Sequence, residues 1–448
     1  MQSPTNPSEL SAGRRTFLKS AGTVAAGLYL AGGQSPARAE TPAAAKSEKL
    51  ALMGGPKAVT APAGNATRWP LYGPDEEKAV LALVRSPDYA PLTLLENEWK
   101  KYYQVPYAKP YCNGTSALTT MFFALNLPPG SEIMVPSYTF FATIVPMRLF
   151  GLVPVFVDIN PRTLCFDLED AKRRLTKNTK AVLPVHWIGL PAEMDHICDW
   201  AKEKGLIVLE DSCHAHGASL KGRLMGTWGE MAAFSFQGTK PLPGIEGGMA
   251  NYQHKEHYER GSTFGHYDLP TAFPADSHYR QYYGSGLGLK LRMHPMTAAL
   301  VRCQLRGLKD RNTAGAAQVR RLNDRLVQLP GLYEQTSGRP DMNRLYYAWN
   351  ALFIDEAQAG MSRAACLKAL AAEGVQAGAV EYPLQHKLPL YRQSEWWHHL
   401  PALPELPGSE RANATAIGLP YFTSDQPELI EQYIKAFEKV WAHRKELA

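Results

Sequence analysis

The chain has 448 residues, 45% of them hydrophobic and 20% charged, with a formal net charge of +6. This length and balance allow two or three structural units around a sizeable core and exclude fibrous and disordered classes; no apolar run reaches the ~20 residues of a membrane-spanning helix. Four basic residues (Arg14, Arg15, Lys19, Arg38) against one acid (Glu9) put half of the net charge ahead of residue 40. The remainder is no electrostatic footprint for nucleic acid.

Gly13-Arg14-Arg15-Thr16-Phe17-Leu18-Lys19 is a twin-arginine pattern. A mildly apolar stretch follows from Ala21 to Ala31, and Ala37-Arg38-Ala39 is a small-residue cleavage site. Together they predict residues 1–39 as a twin-arginine signal peptide. The expectations are passage through the Tat export machinery, cleavage between Ala39 and Glu40, and a periplasmic mature chain. Residues 40–65, rich in Ala, Pro and Lys, read as an N-terminal arm. The six cysteines are scattered, with no metal-like spacing, so no metal is expected.

From 66 to 330, short apolar runs alternate with helical periods. Strands are predicted at Ser131–Pro136, Pro154–Asp158, Ala181–Val185 and Leu206–Asp211, and helices at Leu168–Leu175 and Met194–Lys204. Such alternation implies a mainly parallel sheet covered on both faces, a large α/β domain. Ligands of such sheets bind beyond the carboxyl ends of the strands, where Asp211 falls. Residues 294–330 read as one long helix. Residues 331–448 read as a smaller α+β domain, with a strand at Leu345–Phe353 and helices at Ser362–Glu373 and Gln426–Lys445.

Asp211 is a fixed anion at a strand end. Lys240 follows the apolar Phe234-Ser235-Phe236 and precedes a turn rich in glycine, Gly244 to Gly248. A lysine in a partly desolvated pocket loses proton affinity and attacks carbonyls. A carboxylate beside it can hold a protonated pyridine nitrogen. The pair suits pyridoxal 5′-phosphate. His186, on an apolar strand, reads as a core histidine.

From about Gly54 to its end the chain resembles the DegT/DnrJ/EryC1/StrS aminotransferases. The resemblance rests on Cys112–Leu118, Val135–Phe140, Val185–Gly189, the Asp211 and Lys240 segments, Leu291–Met296 and Ile417–Pro420. It implies the fold type I architecture of PLP-dependent transferases, with pyridoxal 5′-phosphate as cofactor. It implies Lys240 as the lysine that carries the cofactor and moves the substrate proton. Asp211 is implied as partner of the pyridine nitrogen, and His214 as partner of the phenolic oxygen. Phe140 stacks on the ring in this reading, and Gly114, Thr115, Ser116 and Ser235 take the phosphate. Lys290 stands where the family usually has an Asn given by the neighbouring subunit, which implies a homodimer with shared active sites.

The resemblance implies an aminotransferase working on an amine or amino acid and a keto acid. The family is best known for nucleotide-linked keto-sugars, whereas the leader points to the periplasm. The expectation joining the two is exported transamination in siderophore maturation, converting a glutamyl side chain of pyoverdine to α-ketoglutaryl. Amino-sugar or envelope-glycan biosynthesis is the alternative, and a non-catalytic exported sensor of PLP or amines is the alternative from another class.

Overall fold

The computed structural model describes residues 48–266 and 273–448. The signal peptide and residues 40–47 of the arm lie outside them.

In chain order the strands are β1 (Tyr107–Tyr111), β2 (Glu132–Pro136), β3 (Val153–Val157), β4 (Thr179–Val182), β5 (Ile207–Asp211), β6 (Ser219–Leu220), β7 (Arg223–Leu224), β8 (Met231–Ser235), β9 (Gly248–Tyr252), β10 (Leu332–Glu334), β11 (Met342–Asn343), β12 (Trp349–Ile354), β13 (Gly378–Ala379) and β14 (Ala416–Pro420). Seven of them form the central sheet, in the order β1-β9-β8-β5-β4-β2-β3. Only β9 runs against its neighbours, β1 and β8. The pairings β2–β3, β2–β4, β4–β5 and β5–β8 are all parallel. The four predicted strands are β2 to β5, with ends that coincide or shift by up to three residues. Every residue of β2, β8 and β9 is buried, as a sheet covered on both faces requires.

The covering helices follow their sequence signals. Helix Met194–Lys204 buries Met194, Ile197, Trp200 and Ala201, a stripe at helical spacing. It stops at Gly205, whose left-handed φ of 66° a side chain would strain. The long helix predicted over 294–330 is instead two, Pro295–Arg306 and Leu308–Leu326. Gly307 separates them, with its N–H bonded to Leu305 O rather than four residues back.

A second sheet, β10-β12-β14-β13, carries the C-terminal layer. Helix Pro427–Ala442 lays Leu429, Ile430, Tyr433, Ile434, Phe437, Val440 and Trp441 into its core. Each of the large apolar side chains there contributes about 1.5–3 kcal/mol by burial. Leu322 and Leu326 of the preceding helix join the same core, as do Leu50 and Ala66 from the arm side. All six cysteines are free.

Glu373, wholly buried, ties the arm to this layer. Its Oε1 accepts from Ala51 N (2.8 Å), and its Oε2 accepts from Ala58 N (3.0 Å) and Lys439 Nζ (3.0 Å). Removing one partner of a buried pair leaves an uncompensated charge. Glu373→Ala should therefore cost about 3–5 kcal/mol of stability, read as a lower urea midpoint.

Candidate active site

Asp211 ends β5 and Ser235 ends the adjacent strand β8. The turn ahead of helix Gly114–Ala124 approaches them from one side. Close approach demands glycine here. A Cβ on Gly114 would lie 2.8 Å from Ser235 Cβ, and one on Gly248 would lie 2.4 Å from Asn113 O. The carboxyl ends of β5 and β8 thus open into a cavity of about 660 Å³. Seven of the nine predicted site residues line it: Gly114, Thr115, Phe140, Asp211, His214, Ser235 and Lys240. Ser116 and Lys290 do not.

Asp211 is 5% exposed. Thr143 Oγ1 donates to its Oδ2 (2.8 Å), and Cys213 N donates to its Oδ1 (3.1 Å). Thr139 Oγ1 lies 2.7 Å from Thr143 Oγ1. Because Thr143 spends its proton on Asp211, Thr139 supplies the proton in that second bond. The carboxylate is thereby fixed in orientation with lone pairs still free. The Cys213 thiol beneath it is pushed well up by burial, so it forms an uncharged wall rather than a nucleophile.

His214 is buried, and its Nδ1 accepts from Ile188 N (3.3 Å). An N–H can only donate, so the ring proton resides on Nε2. Burial pushes this histidine well below its ordinary value, and the positive charge of Lys240 adds to the effect. The ring is therefore a neutral Nε2–H donor. Ile188 reaches it from a left-handed conformation, φ 41°, costly for a β-branched residue. Arg344 Nη2 donates to Ile188 O (3.4 Å), and Gln335 Nε2 donates to Trp187 O (3.1 Å), which holds the loop in place.

Helix Gly114–Ala124 points its first turn at the cavity. Asn113 Oδ1 caps it by accepting from Ser116 N (2.8 Å). That bond commits the Ser116 amide, and the Ser116 hydroxyl pairs with Cys112 Sγ (3.1 Å). The Ser116 amide thus serves the cap, and Ser116 is not among the residues lining the cavity. The amides of Gly114 and Thr115 remain outside the helix's own bonding and, with the Ser235 hydroxyl, suit a phosphate. Phe140 is half exposed, its ring 4.3 Å from that of Phe141. Lys290 is exposed and away from this cavity; its predicted role concerns a neighbouring subunit.

Four contributors escaped the sequence reading: Thr139, Thr143, Tyr347 and Tyr382. The Tyr347 ring lies 4.6 Å from that of His214, with Lys240 Nζ 4.8 Å from its centroid. Its hydroxyl meets Thr239 Oγ1 at 3.0 Å. Tyr347 was predicted inside a strand, but β12 begins only at Trp349, because Ala348 takes φ 61°. A left-handed alanine leaves no mark in hydropathy. His186 is the core histidine its strand predicts: Nδ1 accepts from Ala192 N (3.1 Å) and Nε2 donates to Glu210 Oε2 (3.0 Å).

The residues present fit pyridoxal 5′-phosphate. A buried, oriented carboxylate suits the pyridinium nitrogen, a neutral N–H donor the phenolic oxygen, free helix-start amides the phosphate, and a lysine the aldehyde.

The buried histidines also set a pH dependence. Burial, with Lys240 adding its charge, holds His216 down at about 3 against an ordinary 6.5, and His214 is lowered as well. Both are neutral when folded and gain protons on unfolding below pH 6.5. Their stability contribution is complete above 6.5 and falls as pH drops below it; for His216 the fall runs toward pH 3, by about 1.4 kcal/mol per pH unit. Urea midpoints should fall less steeply over that window in His216→Phe than in the native chain.

Residues 76–438 match the DegT/DnrJ/EryC1/StrS aminotransferase family. A GDP-perosamine synthase of Escherichia coli O157:H7 is 34% identical over 48% of this chain, which spans 57% of that enzyme. The dTDP-4-dehydro-2,3,6-trideoxy-D-glucose 4-aminotransferase of Saccharopolyspora spinosa is 31% identical over 74% of this chain and 83% of its own. A crystal structure of an aminotransferase from Psychrobacter cryohalolentis superposes with a TM-score of 0.76 at 25% identity, covering 84% of this chain and 98% of that one. The seven-stranded sheet, the lysine cavity at its strand ends and this match over most of the chain agree, and the protein belongs to the DegT/DnrJ/EryC1/StrS aminotransferase family.

Proposed function

We propose that this protein transfers an amino group between an amine or amino acid and a keto compound, with pyridoxal 5′-phosphate held at Lys240. One observation carries the reading: a single cavity joins Lys240, the oriented carboxylate of Asp211, the Nε2–H of His214 and the free amides that open helix Gly114–Ala124. Bound there, the cofactor supplies an electron-withdrawing ring that stabilises charge at the substrate carbon. Asp211 keeps the ring nitrogen protonated, held in register by Thr143 and the Cys213 amide. The Nε2–H of His214 donates a hydrogen bond to the phenolic oxygen, from a ring that burial keeps neutral. Gly114, Thr115 and Ser235 bind the phosphate. The Lys240 amine takes and returns the substrate proton.

For the substrate, one of two readings is an exported enzyme of siderophore maturation, acting on a glutamyl side chain of pyoverdine. Its support is the Arg14-Arg15 leader with the Ala37-Arg38-Ala39 site, since nucleotide-linked sugars are compounds of the cytoplasm. Two copies sharing active sites through Lys290 belong to the same proposal. A second reading, amination of a nucleotide-linked keto-sugar, is favoured by the names of the two relatives. Periplasmic and cytoplasmic fractions, N-terminal sequencing of the mature chain, and a paired assay decide between them. The siderophore reading expects a chain starting at Glu40 in the periplasm and a hydrazine-trappable ketone from glutamyl-bearing pyoverdine or ferribactin. An uncleaved cytoplasmic chain that aminates a dTDP-linked keto-sugar and leaves pyoverdine untouched would replace it with the second.

A further inference from the structure

A second cavity, of about 610 Å³, adjoins the lysine cavity, and the two share Thr239, Tyr347 and Ala348. Trp69 forms part of its wall, and its Nε1 donates to Lys240 O (3.2 Å), so this wall is fastened to the lysine loop. Across from it, helix Leu308–Leu326 presents Arg311. The guanidinium carbon of Arg311 is 6.0 Å from the Trp69 ring centroid. Its Nε and Nη2 are buried with no hydrogen-bond partner.

Three other arginines of the described residues each hold oxygen partners, although Arg320 keeps one buried Nε without a partner. Arg302 grips Glu98 through two nitrogens, Arg320 grips Glu334, and Arg344 bonds backbone and side-chain oxygens of Gln335. The acid nearest in charge to Arg311 is Glu76, which is spent on Gly73 N and Gln304 Nε2. Asp425, the other charged residue of the lining, is exposed to solvent. Burying a cation with unmade hydrogen bonds is costly, and such a group is found where a ligand completes it. Guanidinium matches carboxylate and phosphate oxygens in particular.

We propose that this second cavity is the distal subsite for the substrate: it takes an arm bearing an oxyanion, carboxylate or phosphate, with Arg311 as counter-ion and the Trp69 ring as flat wall. The inference rests on the aminotransferase reading for what the arm is attached to. The anion site itself is measured without turnover.

The test is calorimetric titration of the full mature protein and of Lys240→Ala with two probes, glutarate for a carboxylate arm and dTDP for a nucleoside diphosphate. Binding of one probe is expected, about 10- to 100-fold weaker in Arg311→Met and partly restored in Arg311→Lys. Glutarate alone identifies a carboxylate arm, and dTDP alone a phosphate arm. In kinetics, Arg311→Met should raise KM for anionic substrates with little change in kcat, and should leave neutral amines unaffected. That split is not expected of a merely structural arginine. Should Arg311→Met fail to fold, Arg311→Lys carries the comparison by itself. Unchanged affinity in the variants, or no binding of either probe to the native chain, overturns the subsite. Anion binding lost with Arg311 in a protein that aminates nothing would sustain the site and remove the aminotransferase reading.

Discussion

Lys240→Ala is expected to lower turnover by at least about 10⁴-fold while leaving the fold intact. Proton transfer by a positioned base alone contributes about 10²–10⁴, and this lysine also anchors the cofactor. Lys240 is only half-buried and its side chain holds no hydrogen bond in the network around Asp211. Its removal should therefore shift stability by under ~1 kcal/mol. The readout is twofold: steady-state amination, and the near-ultraviolet and visible absorbance of the protein after loading with pyridoxal 5′-phosphate. The native chain should show a band that bleaches with an amine donor, and the variant should lack that response. A variant retaining a tenth of the native rate would remove Lys240 from the chemistry.

Asp211→Asn comes next in size, with an expected loss of about 10²–10⁴ in turnover and about 1–3 kcal/mol in stability. The carboxylate accepts from Thr143 on one oxygen and from the Cys213 amide on the other. An amide can present an acceptor to only one of them, so its NH2 group faces the other. The negative charge that would hold a ring nitrogen protonated is lost at the same time. Thr143→Val removes one donor and keeps the charge, so its effect should be smaller, about tenfold. Paired kinetics and urea midpoints separate the two contributions. Equal rates for Asp211→Asn and the native chain would deny the carboxylate any electrostatic part.

What was legible in the sequence was local. Continuous apolar runs located β2 to β5, because strands buried on both faces have no polar side to alternate with. The stripe from Met194 to Ala201, closed by Gly205, located a helix to the residue. Asp211 and Lys240 were legible from a strand end and the glycine-rich turn that follows, whereas His214 and Ser235 came only with the family resemblance. The helix break at Gly307 and the late start of β12 were missed, since a backbone turn at one residue barely disturbs hydropathy. The Ser116 amide, read with its neighbours as facing a phosphate because they open a helix, bonds Asn113 instead, a capping contact that only the folded turn reveals.

By itself, then, the sequence determined the α/β class, the strand ends that open into the cavity, and a lysine and a carboxylate that line it. The tertiary structure decided what surrounds them. Thr143 lies 68 positions from Asp211, and Trp69 lies 171 from Lys240. No local pattern encodes such pairs. They meet because β2, which leads to Thr143, is separated from β5 only by β4 in the sheet, and because the arm-side segment folds back over the lysine loop. The unpaired guanidinium of Arg311 becomes visible only there, since a lack of partners is a property of packed space and not of chain order.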